Sequence, residues 1–397
     1  MVYITGLGIV SGLGIGYIAN KENYLKANGR FQSAQYLQTR HTFPVAEVPQ
    51  SNDAIRTKFN ISNPYVSRTT LLAMLALEET LSYLPQDYDK SRIAFVNSST
   101  TGPMAEIERT YNEIVSQDFM PDQYKESYTG VDCTEVTYKL AKHFDLDVYM
   151  MNISTACSSS SNTIHVGKRL IESGLYDLVI CGGADSLAKF TLNGFNSLKN
   201  IDMSLSKPFD ANRNGLNLGE GAAYLLLESA TSVEKRNAQH FGIVLGTANT
   251  NEAHHPSAPS PDGSGAHQTM KAAIDNANLE IEAIQYINAH GTATHGNDGA
   301  EIIAIQNLFG VHNTPYFNST KTLTGHTLAA SGVIETILTL ISMESNTLIP
   351  NLRFETDIEG VLIRPLTQFV YNRPITYALN NSFGFGGSNV SIVLKKT

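Results

Sequence analysis

Val148-Tyr149-Met150-Met151-Asn152-Ile153 is a short apolar run that leads into Ser154-Thr155-Ala156-Cys157, and a helical pattern follows over residues 163–174. Leu178-Val179-Ile180-Cys181 is a second such run, and Ile93-Ala94-Phe95-Val96 precedes both. Runs of this length, bounded by polar or glycine residues, suit strands buried on both faces. Between them, Arg68 to Tyr83 sets Leu71, Leu72, Leu75, Ala76 and Leu81 near helical spacing. Strands alternating with helices predict an α/β protein with largely parallel sheets.

Working outward, the same pieces recur. Tyr3-Ile4-Thr5-Gly6 resembles Gly242-Ile243-Val244-Leu245-Gly246, and Ala94-Phe95-Val96-Asn97 resembles Gln285-Tyr286-Ile287-Asn288. Asn152-Ile153-Ser154-Thr155, before Cys157, matches Asn318-Ser319-Thr320, before Lys321. Three weak pairs in the same order predict a duplicated chain. The halves are residues 1–235 and 236–397, with the polar stretch Ser229 to His240 as the connection.

The chain has 397 residues, of which 42% are hydrophobic and 16% charged, so a large core is available and disorder is not expected. Twenty-eight Lys and Arg against 37 acidic residues give a net charge of −9, which disfavours nucleic-acid binding. No apolar run approaches the ~20 residues of a membrane span. Met1-Val2-Tyr3-Ile4 lacks the basic start of a signal peptide. Three cysteines form no disulfide framework, so a cytoplasmic location is expected.

The early glycines do not follow G-x-G-x-x-G, and no acidic residue sits about 20 positions on, so they read as a strand and tight turn rather than a nucleotide site. Cys157 is different. A thiol at a strand-to-helix turn lies by free N–H groups and the positive end of the helix dipole, which favour the thiolate. Cys181, within an apolar run, reads as structural, and Cys133 has no supporting context. His290, in Asn288-Ala289-His290-Gly291-Thr292-Ala293-Thr294, and His326, in Lys321-Thr322-Leu323-Thr324-Gly325-His326, each follow a strand. Sites form at the carboxyl ends of parallel strands, so Cys157, His290 and His326 can converge. There is no H-E-x-x-H or C-x-x-C, and adjacent His254-His255 cannot easily share an ion, so no metal is expected. The absence of G-x-S-x-G weakens a hydrolase reading. The loop from Glu252 to Gly265 is expected to line an entrance. Phe383-Gly384-Phe385-Gly386-Gly387-Ser388-Asn389 is a turn whose backbone N–H groups can approach a ligand, with an aromatic able to act as a gate.

Together these segments, with Pro208-Phe209-Asp210-x-x-Arg213 and Gly219-Glu220-Gly221, resemble the elongating β-ketoacyl-acyl carrier protein synthases of the thiolase-like superfamily. The resemblance implies a duplicated five-layer αβαβα fold and a dimer, either of identical chains or of related ketosynthase chains. It implies a decarboxylative condensation of a Cys157-bound acyl chain with malonyl-carrier protein, in fatty-acid or polyene-type elongation. No resident cofactor is needed, because phosphopantetheine arrives on the acyl carrier protein. By resemblance, His290 and His326 stabilise the enolate, and Lys321 adds positive potential with Glu335 as its ion-pair partner. The N–H groups of Cys157 and Phe385 form the oxyanion hole, while Thr292, Thr294 and Phe383 meet the substrate arm. Thr101, in the Ser98 to Gly102 loop, is expected at the floor of the acyl pocket. Lys207 and Arg68 are expected to dock the carrier protein. A non-catalytic partner subunit of the chain-length-factor kind is the alternative. Asn162, Asn214 and Asn217 depart from the family's usual residues.

Overall fold

The strand-forming runs of the described residues (1–85, 88–117 and 132–397 in this computed structural model) assemble into eleven strands. They are β1 (Val2–Ser11), β2 (Gly14–Ile15), β3 (Ile93–Ser98), β4 (Tyr149–Ile153), β5 (Leu178–Asp185) and β6 (Gly221–Ser229). The second group comprises β7 (Gly242–Asn251), β8 (Tyr286–Asn288), β9 (Tyr316–Asn318), β10 (Tyr377–Phe383) and β11 (Ser388–Lys395). Their order is β4-β3-β5-β6-β1-β7-β11-β10-β8-β9, with β2 folded back on β1. The order is a palindrome about the β1–β7 contact, so each repeated sequence segment falls on equivalent strands: β1 with β7, β3 with β8, and β4 with β9. Only Val2, Tyr3 and Ile4 pair across that centre, with Val244, Ile243 and Gly242.

The sheets are mixed rather than largely parallel. β3 runs parallel to β4 and β5, and β8 to β9 and β10. β6 and β11 run antiparallel to both of their neighbours. For β11 the cause is local: the glycine-rich turn after Phe383 is far too short for a parallel crossover. Helix alternation does mark the parallel β3–β4 and β8–β9 pairs, but it does not reveal the direction of β6 and β11, which no crossover helix joins to a parallel neighbour.

Seven helices place the layers and the site. They are α1 (Arg68–Leu81), α2 (Ser159–Glu172), α3 (Lys189–Ser197), α4 (Ser264–Asn276), α5 (His295–Phe309), α6 (Lys321–Thr324) and α7 (Ser331–Ser345). α1 covers β1, β5 and β6 on one outer face, and α4 covers β7 and β11 on the other, with α5 packed beside it. α2 and α7 pack on each other and touch strands of both groups, which makes them the middle of five layers. They approach closely at Gly332, where a Cβ would lie 2.0 Å from Ser161 Oγ. Leu328–Ser345 is long and apolar enough to cross a membrane, but 89% of it is buried between the sheets, as a core helix requires. The polar connection contains a helix of about two turns, Ala230–Arg236, capped by the Ser229 hydroxyl. β4 departs from expectation. It is an edge strand, and Tyr149 (46%) and Met150 (43%) are exposed, because an apolar run reads alike at the edge and the centre of a sheet.

Candidate active site

The carboxyl ends of β4, β8 and β9 face one another across the middle layer, and the chemistry-bearing side chains sit just beyond them. After β4 the chain turns sharply at Ala156, whose φ of 50° is left-handed. Such a conformation in a non-glycine residue costs roughly 1–3 kcal/mol and is kept where the surroundings enforce it. Here Ser158 Oγ donates to the Thr155 carbonyl (2.8 Å), and the Thr155 N–H donates to Ser159 Oγ (2.8 Å). Asn162 donates to Thr155 Oγ1 (2.9 Å) and accepts from Asn249 (2.7 Å), so this unusual residue ties the turn to β7. The strained turn presents Cys157, buried, at the start of α2.

Its thiol is not the depressed one that the helix position suggested. Burial dominates and pushes the thiol up to about 11, against opposing pulls from the Lys321 charge and the N–H groups of Phe385 and Cys157. Desolvation of a fully buried anion outweighs a partial charge of the helix terminus. Those two N–H groups face the sulfur, the arrangement an oxyanion hole requires.

His290 sits on a backbone held by two carboxylates of α5. Glu301 accepts the N–H groups of His290 and Gly291 at 2.8 Å each, and Asp298 accepts that of Ala293 at 3.0 Å. His326 follows α6 and is gripped by the chain before β6: its N–H donates to the Asn217 carbonyl (2.8 Å), and its carbonyl accepts from Gly219 (3.0 Å). A Cβ on Gly219 would stand 2.2 Å from the Thr324 carbonyl, so glycine is required for this grip. Asn217 is buried, and its amide holds the 202–206 loop through Ser204 and Ser206. Asn214 is exposed.

The hydrogen bonds fix both imidazoles in one tautomer. Lys321 Nζ donates to the His290 carbonyl (2.6 Å) and lies 3.2 Å from His290 Nδ1, which must therefore accept. Leu328 N–H donates to His326 Nδ1 (3.1 Å). Each ring thus carries its proton on Nε2. Both are neutral: burial, then the Lys321 charge, holds each well below the usual histidine range. The rings lie perpendicular, with centroids 5.5 Å apart. Lys321 is anchored by Glu335 of α7, a buried pair in which burial raises the carboxyl to about 7.

One ligand-type atom each from Cys157, His290 and His326 lies within 4.8 Å of the others. That spacing would also suit a metal ion. A metal-bound Nε2 needs its lone pair free and Nδ1–H donating outward. Here Nδ1 accepts in both rings, so the set suits donation of two N–H bonds to a developing anion.

The three residues open onto a cavity of about 170 Å³, also lined by Thr292, Thr294 and Phe383. Thr292 and Thr294 hydroxyls are bonded to each other at 2.9 Å. The Phe385 ring stacks on Phe195 of α3 at 5.7 Å, across the entrance that His255 and Pro259 also border. Two expected residues lie elsewhere. Arg68 is buried and forks onto Glu220, with further bonds to the Val48 and Gln50 carbonyls, so it is a structural cation and not a docking residue. Thr101 does not line the cavity; its hydroxyl (2.9 Å) and N–H (3.0 Å) are both spent on Asp185. Lys207 is at the surface, already paired with Glu355 at 2.9 Å. Asp185, Asp298, Glu301 and Phe195 went unnoticed in the sequence. For Asp298 and Glu301 a signal existed, as acidic residues one helical turn apart after a histidine loop.

Residues 27–232 match the β-ketoacyl synthase N-terminal domain, and residues 241–355 its C-terminal domain. A 3-oxoacyl-[acyl-carrier-protein] synthase 2 of Staphylococcus aureus is 35% identical over 249 residues, 61% of this chain and 60% of that protein. The similarity thus spans about 60% of the curated relative's length. Among solved structures, a ketosynthase in complex with its chain length factor from Xenorhabdus doucetiae aligns over 100% of this chain and 98% of that one. It is 30% identical, with a TM-score of 0.87. A β-ketoacyl synthase from Burkholderia phymatum aligns over 100% and 99%, at 28% identity and the same TM-score of 0.87.

Proposed function

The chain belongs to the β-ketoacyl synthase family, and from that membership we propose that it is a 3-oxoacyl-[acyl-carrier-protein] synthase that elongates acyl chains by decarboxylative condensation. The observation that carries the proposal is the pair of neutral Nε2–H donors set beside a single thiol. Cys157 attacks the carrier-bound thioester, with the N–H groups of Cys157 and Phe385 taking the oxyanion, and the carrier thiol leaves. Malonyl-carrier protein then enters past Phe385, its phosphopantetheine arm meeting Thr292 and Thr294. Loss of CO₂ leaves an enolate whose oxygen accepts from His290 and His326. Neutral donors stabilise this charge without surrendering a proton to the carbanion, and Lys321 adds positive potential behind them. The carbanion attacks the acyl-Cys157 carbonyl and expels the thiolate, giving the β-ketoacyl product.

No resident cofactor enters these steps. The reading divides the chain into a nucleophile-bearing half, 1–235, and a histidine-bearing half, 236–397, acting in the cytoplasm as a homodimer or beside a related ketosynthase chain. Lys207 serves carrier docking by exchanging Glu355 for a carrier carboxylate. The test separates the two half-reactions. Purified protein gains an acyl mass from acyl-carrier protein that Cys157→Ser abolishes, whereas Cys157→Ala still releases CO₂ from malonyl-carrier protein. His326→Ala slows that release ~10²-fold. Loss of CO₂ release in folded Cys157→Ala as complete as in His326→Ala rejects this division of labour. No acyl gain by the protein alone points instead to a non-catalytic partner subunit.

A further inference from the structure

Asp185 ends β5 with its side chain fully buried, and among the described residues no Lys or Arg pairs with it. A buried carboxylate without a counter-cation is expensive unless hydrogen bonds saturate it. Saturation comes from two separate elements. From the loop after β3, Oδ1 accepts Ser99 Oγ (2.7 Å), Thr101 Oγ1 (2.9 Å) and the N–H groups of Thr100 and Thr101 (3.0 Å each). Oδ2 accepts the Thr100 hydroxyl and, from the turn after His326, the N–H of Ala329 (2.9 Å).

That second contact bears on the active site. Leu328, between His326 and Ala329, has a φ of 53°, a conformation a branched side chain resists. Its N–H donates to His326 Nδ1 at 3.1 Å, and because the Ser331 hydroxyl, 3.2 Å from the same atom, can donate or accept, this N–H is the donor that fixes the tautomer. Asp185 grips the next peptide and so holds Leu328 in the conformation that aims this N–H at the ring. Within the proposed function, we infer that Asp185 is a positioning residue that sets the Nε2–H tautomer of His326 and couples it to the Ser99–Thr101 loop.

Asp185→Asn discriminates between the two contacts. On the Oδ1 side an amide oxygen still serves two N–H donors, and on the Oδ2 side the Thr100 hydroxyl can rotate to accept. Only the Ala329 N–H cannot, so the new NH₂ faces a fixed donor there. The expected result is a loss of tenfold or more in CO₂ release from malonyl-carrier protein, with acylation of Cys157 unchanged or faster, because the Asp185 charge raises the thiol. Histidine-selective ¹⁵N spectra should show His326 as a single Nε2–H tautomer in the parent and as a mixture in the variant. Adding Leu328→Gly should recover part of the release, because glycine adopts positive φ without the carboxylate. CO₂ release within twofold of the parent, or equal losses in both half-reactions, would overturn the inference. Should Asp185→Asn not fold, an Nδ1–H pattern for His326 in the parent overturns it equally. A parent that neither acylates nor decarboxylates, yet shows the tautomer change on substitution, would sink the proposed reaction and leave the positioning role standing.

Discussion

At Cys157 the contest lies between a helix terminus that favours an anion and burial that opposes it, and burial wins. With the thiol near 11, about one in ten thousand is ionised at pH 7, so reaction with iodoacetamide should rise about tenfold per pH unit from 7 to 9. A rate already level above pH 7 would mean that the dipole and Lys321 prevail. The histidines shift in the opposite sense. Their folded values lie below 6.5, so both rings stay neutral as the pH falls through that value. CO₂ release by Cys157→Gln should therefore be flat between pH 6 and 8. An inflection near 6.5 would show an imidazolium taking part. Cys157, His290 and His326 were legible because each lies in a short segment with its own local signature. Asp185 was not, because its partners are a loop about 85 residues before it and a turn 144 residues after.

Among the elements, α1 shows how far local pattern reaches. Its apolar spacing announces the helix, but Arg68, at its first position, reads from local pattern as a surface cation. The partner that buries it, Glu220, lies 152 residues on, beyond any periodicity. Glu220 also accepts the N–H groups of Val48 (3.0 Å) and Leu187 (3.2 Å), so the pair pins α1 to the segment that grips His326. Removing one member of a buried pair strands the other charge, at a cost of about 3–5 kcal/mol. Arg68→Met should therefore lower the midpoint of chemical unfolding markedly, with any loss of activity following loss of folded protein. A normal midpoint with a raised KM confined to carrier-bound substrate would return Arg68 to a docking role.

On the scale of the whole molecule, duplication sets equivalent strand ends against each other, and the site uses both copies: the β4 end supplies Cys157, the β8 end His290, and α6 after β9 leads to His326. The repeated segments made that symmetry readable, whereas the palindromic order, which depends on strand direction, was not. The same order leaves β4 and β9 as edges. β9 has three residues, too few to template much pairing. β4 has five, Tyr149-Met150-Met151-Asn152-Ile153, with no charge, no proline and two exposed apolar side chains. Such an edge invites pairing with another chain unless something covers it. The protein should therefore sediment at twice its 43.3 kDa chain mass, or with a related chain when one is co-expressed. Met150→Lys puts a charge on that edge, where an interface would bury it, and should shift the population toward monomer at micromolar concentration. A parent that stays monomeric at tens of micromolar, with no related chain bound, would show that β4 is a tolerated free edge and that the site is complete within one chain.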